Sequence, residues 1–262
     1  MEKTQADDKP LSERIVLVTG ALEGIGRAVS LASAAAGATV VLTSFKQKDL
    51  EPVYDEIVSR GGPEPAILPL NLHKATEADY IAAANVIGES FARLDGLVHC
   101  AAFAPYLSRI DDYDVKEWEK VVHVNLNAPF MLTQACLPLL RAAPDASVIF
   151  TSDRVGRTGK AYWGAFAAAK FGIEGLMQVL AEETSENGAL RVNSIDPGVV
   201  RTTMRVTLYP GEDPNVNPLP ETITPAYIAL LGAQTRGLTG HAFSVDPETG
   251  GLAEYPGAAG SH

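Results

Sequence analysis

Residues Arg14–Arg27 read R-I-V-L-V-T-G-A-L-E-G-I-G-R. The first six form a β-branched, apolar run, the composition of a strand buried on both faces. Gly20, Gly24 and Gly26 follow at once, and then a helical stretch, Arg27 to Ala36. The first glycine permits a tight turn. The later two let the backbone approach a phosphate and let the helix pack on the sheet. A helix that begins there offers unpaired N–H groups and its positive dipole end to a pyrophosphate. The loop Gly20, Leu22, Glu23, Gly24, Ile25 and Gly26 is therefore expected to line a nucleotide crevice.

The same alternation runs outward along the chain. Short apolar runs at 39–43, 66–70, 96–100, 147–152, 190–195 and 241–245 read as strands. Helical stretches separate them at 50–60, 77–92, 115–140, 163–183 and 225–231, with Pro129 and Pro138 as possible bends in the third. This pattern predicts an α/β fold: one Rossmann-like, doubly wound parallel sheet with helices on both faces. Residues 1–12 read as a flexible leader, 13–253 as the single domain and 254–262 as a flexible tail. Residues 202–224 are rich in proline and too long for a routine connection, so they are expected to form a substrate lid or loop.

Bulk composition sets limits on partners. The chain has 262 residues, 46% hydrophobic, enough for one large core. Its formal charge is -11, with 32 acids against 21 bases. Such a field disfavours nucleic acid and anionic membranes. There is no apolar signal segment and no run long enough to span a membrane. A cytoplasmic protein with Cys100 and Cys136 reduced is expected. The histidines at 73, 99, 123, 241 and 262 have no metal-ligand spacing, so no metal site is expected.

The end of the second strand bears on cofactor choice. An acid there would hold the adenosine ribose of NAD. The chain instead has Thr43-Ser44-Phe45-Lys46-Gln47-Lys48. Lys46 and Lys48 suit a 2′-phosphate, while Glu23 in the glycine loop opposes one. The cofactor is expected to be NADP or NAD, with the balance toward NADP.

Together these residues resemble the classical short-chain dehydrogenases/reductases over about residues 12 to 250, and the wording around F-M-L-T-Q-A and W-G-A-F-A-A-A-K is closest to a bacterial subgroup of uncharacterised oxidoreductases. Thr19–Gly26 matches the family's T-G-x-x-x-G-x-G. Asn125, in V-N-L-N-A, matches its helix asparagine, Lys170 its catalytic lysine, and Pro197-Gly198 with Arg201-Thr202 its segment beside the nicotinamide. The resemblance implies a cofactor lined also by Phe45, Lys46, Asn71, Leu72, Ala101, Lys170, Pro197, Gly198, Val200 and Thr202. It implies a small carbonyl or alcohol substrate, framed by 103–112 and 202–224.

The departures fall at the chemical centre. The family reads Y-x-x-x-K where this chain has Phe166-Ala167-Ala168-Ala169-Lys170. Thirteen residues earlier, where the family has a serine, stands Asp153. After the fourth strand, N-N-A-G is replaced by His99-Cys100-Ala101-Ala102, and an adenine-contacting acid by Asn71. A phenylalanine neither donates nor accepts a proton. The remaining catalytic candidates are Asn125, Asp153 and Lys170. Asp153 either pairs with Lys170 or is neutralised by Arg154. Tyr162, one helical turn before Phe166, is a candidate substitute phenol; Tyr106, Tyr209 and His99 are weaker ones.

Two functions follow. One is an NAD(P)-dependent oxidoreductase with an atypical site, acting on a carbonyl or an activated double bond. The other is a catalytically silent homologue that binds nucleotide or ligand as a sensor or partner subunit. The long helices carry apolar residues on more than one face, and the resemblance implies a homodimer or homotetramer built through them.

Overall fold

The computed structural model describes residues 9–185 and 188–255. Eight strands form one sheet in the order β3-β2-β1-β4-β5-β6-β7-β8. They are β1 (Ile15–Thr19), β2 (Thr39–Thr43), β3 (Ala66–Ile67), β4 (Gly96–His99), β5 (Ala146–Thr151), β6 (Leu190–Asp196), β7 (Ala242–Val245) and β8 (Leu252–Glu254). The first seven are parallel, and β8 pairs antiparallel with β7. The expected doubly wound α/β architecture is thus present.

The sheet is buried on both faces because its strands are apolar at successive positions, and the pleat deals them alternately to two cores. Leu17, Leu97, Val148, Phe150 and Val192 point into one, shared with α3 (Glu77–Phe91), α5 (Ala128–Ala142) and α6 (Gly164–Thr184). Val16, Val18, Val98, Ile149 and Ile195 point into the other, shared with α1 (Gly24–Ala35), α2 (Gln47–Ser59) and α8 (Thr224–Leu231). The strand order reverses between β1 and β4. A crevice outside their carboxyl ends follows from that reversal.

Several expected boundaries need correction. Leu11, placed in the loose leader, is fully buried and its N–H donates to Ala36 O at 2.9 Å. Burying one leucine stabilises by roughly 1.5–3 kcal/mol, which holds the start of the fold closed. Residues 1–8 of that leader lie outside the described residues. The expected tail begins inside β8, and Tyr255 stacks under the Arg157 guanidinium at 3.9 Å; residues 256–262 are outside the description. The third strand ends after Ile67, just before Pro69, although Leu68 and Leu70 still donate to Leu42 O and Ser44 O.

The helix expected over 115–140 is two helices, α4 (Val115–Val122) and α5, joined by a π turn at His123–Asn127. The cause is local. Asn125 Nδ2 donates to Val121 O at 2.7 Å, so a side chain takes the carbonyl one turn back and the ladder widens. Pro129 then sits in the first turn of α5, where a missing N–H costs little. The 202–224 segment is more regular than expected. It holds α7 (Thr203–Leu208), capped by Thr202, and 3₁₀ turns at Pro214–Val216 and Pro220–Ile223.

Candidate active site

The crevice at the switch point has a volume of about 920 Å³. One end is built by the glycine turn. Gly20 has φ 68°, and a Cβ there would lie 2.9 Å from Ala101 Cα. A Cβ on Gly26 would lie 2.2 Å from Gly20 O, so α1 can start here only without a side chain. Thr19 Oγ1 accepts from the N–H of Cys100 and of Ala101, both at 3.1 Å, which ties β1 to the loop after β4. No side chain caps α1: the Glu23 carboxylate instead accepts from Thr203 Oγ1 at 2.7 Å. The first residues of α1 therefore line the crevice with their backbone available to an anion.

Of the expected cofactor residues, the crevice brings together the whole glycine loop, Phe45, Leu72, Ala101, Lys170, Pro197, Gly198, Val200 and Thr202. Lys46 is the residue before α2; it and Lys48 are exposed and lie outside the crevice lining. Asn71 also lies outside it, with its Oδ1 accepting from His73 N at 3.0 Å. His73, which sequence reasoning did not single out, does line it. Its ring stacks on Phe45 at 5.5 Å and meets Phe103 edge-on at 4.6 Å.

The other end is built by β5, β6 and α6. Lys170 is 4% exposed, and its Nζ donates to Thr151 O at 2.7 Å. Burial lowers its pKa to about 8; nearby acidic groups, Asp153 first and then Glu174 and Asp196, oppose that shift. Asp153 follows β5 in an Asx turn, its Oδ1 accepting from Val155 N at 2.9 Å. The following turn closes on α6 through Gly156, where a Cβ would lie 2.7 Å from Lys170 Cβ. That approach sets the spacing between Asp153 and the lysine, and the sequence offered only the glycine as a sign of it. Neither expected pairing of Asp153 forms: among the described residues it makes no ion pair within 4 Å, with Lys170 or with Arg154.

Phe166 lines the crevice and is 4% exposed, with Lys170 Nζ 5.3 Å from its ring centroid. Trp163 packs beside it at 5.5 Å. Asn125 does not touch the crevice. Its side chain bridges Val121 O, Phe103 O and Phe103 N, which fixes the loop after β4 on the π turn.

The substitute proton donors are placed as follows. Tyr162 is 55% exposed, holds φ 75° and is outside the crevice lining. Tyr106 stacks on Tyr113 at 5.3 Å, also outside. His99 is buried against Phe150, paired with Thr133, and burial lowers its pKa to about 3, so it stays neutral. Tyr209 lines the crevice, but Arg205 covers its ring at 3.7 Å. Asp196 is a lining carboxyl that sequence reasoning missed. Burial raises its pKa, and the Gly198 N–H it accepts at 2.9 Å acts the other way.

Among the described residues no group of three or more His, Cys, Asp or Glu side chains could hold a metal ion, and no helix is long and apolar enough to cross a membrane.

Comparison with known proteins places this geometry. A family model described as short chain dehydrogenase matches residues 14–213. The uncharacterized oxidoreductase YciK of Escherichia coli K12 is 42% identical over 237 residues, 90% of this chain and 93% of that protein. Solved structures similar over nearly the whole chain include two with bound nucleotide. A short chain dehydrogenase from Shigella flexneri 2a complexed with NADP has a TM-score of 0.87 and 42% identity, covering 90% of this chain and 98% of its own. One from Escherichia coli CFT073 complexed with NADPH has a TM-score of 0.88 and 43% identity, covering 91% and 99%.

Proposed function

The chain belongs to the short chain dehydrogenase family, and from that premise we propose that it is an NAD(P)-dependent oxidoreductase acting on a small molecule through an atypical site. The observation that carries this reading is the single crevice that joins the uncapped, glycine-cradled start of α1 to the buried ammonium of Lys170. The cradle fits a diphosphate, because backbone N–H groups line it and no side chain competes for them.

In this reading Gly20 to Gly26 hold the diphosphate, Phe45 and His73 flank the adenine, and Lys170 holds the nicotinamide ribose. Pro197 to Thr202 seat the nicotinamide, and Asn125 positions the loop at Ala101. The bound nucleotide supplies or accepts hydride. Lys46 and Lys48 lie within one turn of the end of β2 and form no ion pair among the described residues. They are available to a 2′-phosphate. Glu23 is engaged by Thr203 and opposes it less than its position alone suggests. NADP is the preferred form, in line with the similar proteins bound to NADP and NADPH.

Asp153 and Phe166 stand where the family has serine and tyrosine, so this site lacks the usual proton donor to a substrate oxygen. That same fact supports the second reading, a silent homologue that binds nucleotide. Residues 13–253 act as one domain, with 202–224 as the lid. Exposed Phe130, Phe171 and Val179 on α5 and α6 favour a homodimer or homotetramer.

The test is separate calorimetric titration with NADPH and NADH. Micromolar binding is expected, tighter for NADPH, with Lys46→Ala/Lys48→Ala weakening NADPH alone. No binding of either nucleotide to a folded sample would overturn the oxidoreductase reading.

A further inference from the structure

We propose that the substrate end of this crevice is built for an organic cation, and that the compound reduced there carries a C=N⁺ bond rather than a C=O bond. The inference rests on the oxidoreductase reading above and names its substrate class.

The chemistry of the altered side chains comes first. Reducing a carbonyl leaves an alkoxide that must take a proton from the site. Phe166 has no proton to give, and an ionised Asp153 would repel the developing oxygen charge. An iminium carbon makes no such demand. Hydride adds to the carbon, the C=N π pair becomes the nitrogen lone pair, and a neutral amine results. The reductant is the reduced nicotinamide nucleotide of the reading above, and no proton enters the balance. The two substitutions that disable one reaction are neutral or helpful for the other.

The surroundings agree. Phe166 and Trp163 wall this end, with ring centroids 5.5 Å apart and planes at 55°. Tyr209 continues the wall, 6.4 Å from Trp163. Aromatic faces attract cations, and the Phe166 ring already lies 5.3 Å from an ammonium.

The lining charges are Glu23, exposed in the glycine loop and held by Thr203, and Asp153, Asp196, Lys170, Arg154, Lys160 and Arg205. Arg154 and Lys160 are exposed to solvent, and Arg205 is held by Glu212 at 2.6 Å. Glu174, behind Lys170, is satisfied by Arg157 at 3.0 Å. The less solvated groups are therefore two carboxyls, Asp153 and Asp196, against the single ammonium of Lys170. Asp153 is the one not tied down by burial, and its Asx turn engages only one carboxylate oxygen. The second oxygen is the group we assign to the substrate cation.

The probe is N-methyl-3,4-dihydroisoquinolinium, permanently charged, with 1-tetralone as a neutral bicyclic ketone of similar size. Binding is measured by calorimetry on the protein without nucleotide, so the result does not depend on turnover. The cation is expected to bind at least tenfold more tightly than the ketone, and Asp153→Asn is expected to weaken it at least tenfold while circular dichroism stays unchanged. With NADPH present, reduction of the iminium should exceed the uncatalysed rate and the ketone rate. Equal binding of the two probes, an Asp153→Asn variant that binds the cation as the parent does, or faster reduction of the ketone would each overturn the proposal. Failure of NADPH to bind would sink the oxidoreductase reading, while the cation titration would still decide the binding site.

Discussion

Where the glycine turn opens the crevice, between β1 and α1, there is no slack: a Cβ on Gly26 meets Gly20 O at 2.2 Å, and Gly20 abuts Ala101. Where β5 and α6 close it, the scaffold is equally tight, with Gly156 against Lys170, but what faces a ligand there is side chains, Asp153, Phe166 and Lys170 among them. In the reading proposed above, Phe166 and Asp153 take the place of two hydroxyl-bearing side chains of the family. Both regions are held by backbone geometry; one also meets its ligand through backbone, the other through side chains. Steric constraints tolerate almost no substitution, whereas chemistry can be rewritten on an unchanged frame.

If that contrast is right, the chemical end should be restorable. Asp153→Ser with Phe166→Tyr puts back a hydrogen-bond donor and a proton-transfer group beside Lys170. The expected gain in ketone reduction is on the order of 10²–10⁴-fold in kcat/KM, the usual worth of a positioned acid. Steady-state kinetics with NADPH and 1-tetralone would measure it. An unchanged rate would mean the frame itself has moved, and the contrast would fail. The glycine end should behave oppositely. Gly26→Ala forces an overlap with Gly20 O, and overpacking of this kind costs about 1–3 kcal/mol. Calorimetry should show NADPH binding weakened roughly 10–100-fold. Binding at parental strength would show that the turn has room the structure denies.

The same contrast explains what could be read in advance. Apart from β3, expected three residues longer, and β8, not expected at all, the strands came out of the sequence within a residue because apolar runs such as Val40–Leu42 and Val148–Phe150 have only one way to be buried. The glycine loop was legible because φ and contact distance leave no alternative residue. Phe166, Asp153 and Lys170 were marked by the resemblance to the family and do line one crevice, whereas Asn125, marked in the same way, does not. The π turn was not legible, because it depends on the Asn125 side chain reaching both Val121 O and Phe103 O across the tertiary structure. His73 and Asp196 were missed for a similar reason. Neither sits in a motif of its own, His73 having been weighed only as a metal ligand, and only the fold brings them to the crevice. Strand β8 is three residues long and carries no pattern of its own; the edge of β7 and the Arg157–Tyr255 stack define it.

The smallest expected effect is also the most direct probe of the altered end. Lys170 in the folded chain releases its proton near about 8 because burial disfavours the ammonium, while an unfolded lysine holds its proton to roughly 10.4. Between those values the unfolded state binds more protons. The contribution of Lys170 to stability is therefore lowest below pH 8 and rises as pH climbs through the window to about 10.4. Asp153 is the leading charge opposing that shift. Removing it with Asp153→Asn should move the midpoint below 8, as read from the ¹³Cε resonance of Lys170. Lys170→Met removes the titration, so urea midpoints of parent and variant, compared at pH 7.5 and pH 10, should shift in favour of the parent at the higher pH. A midpoint insensitive to Asp153→Asn would place that carboxylate outside electrostatic reach of the lysine. The two ends of the crevice would then differ in residues without differing in the field that a substrate meets.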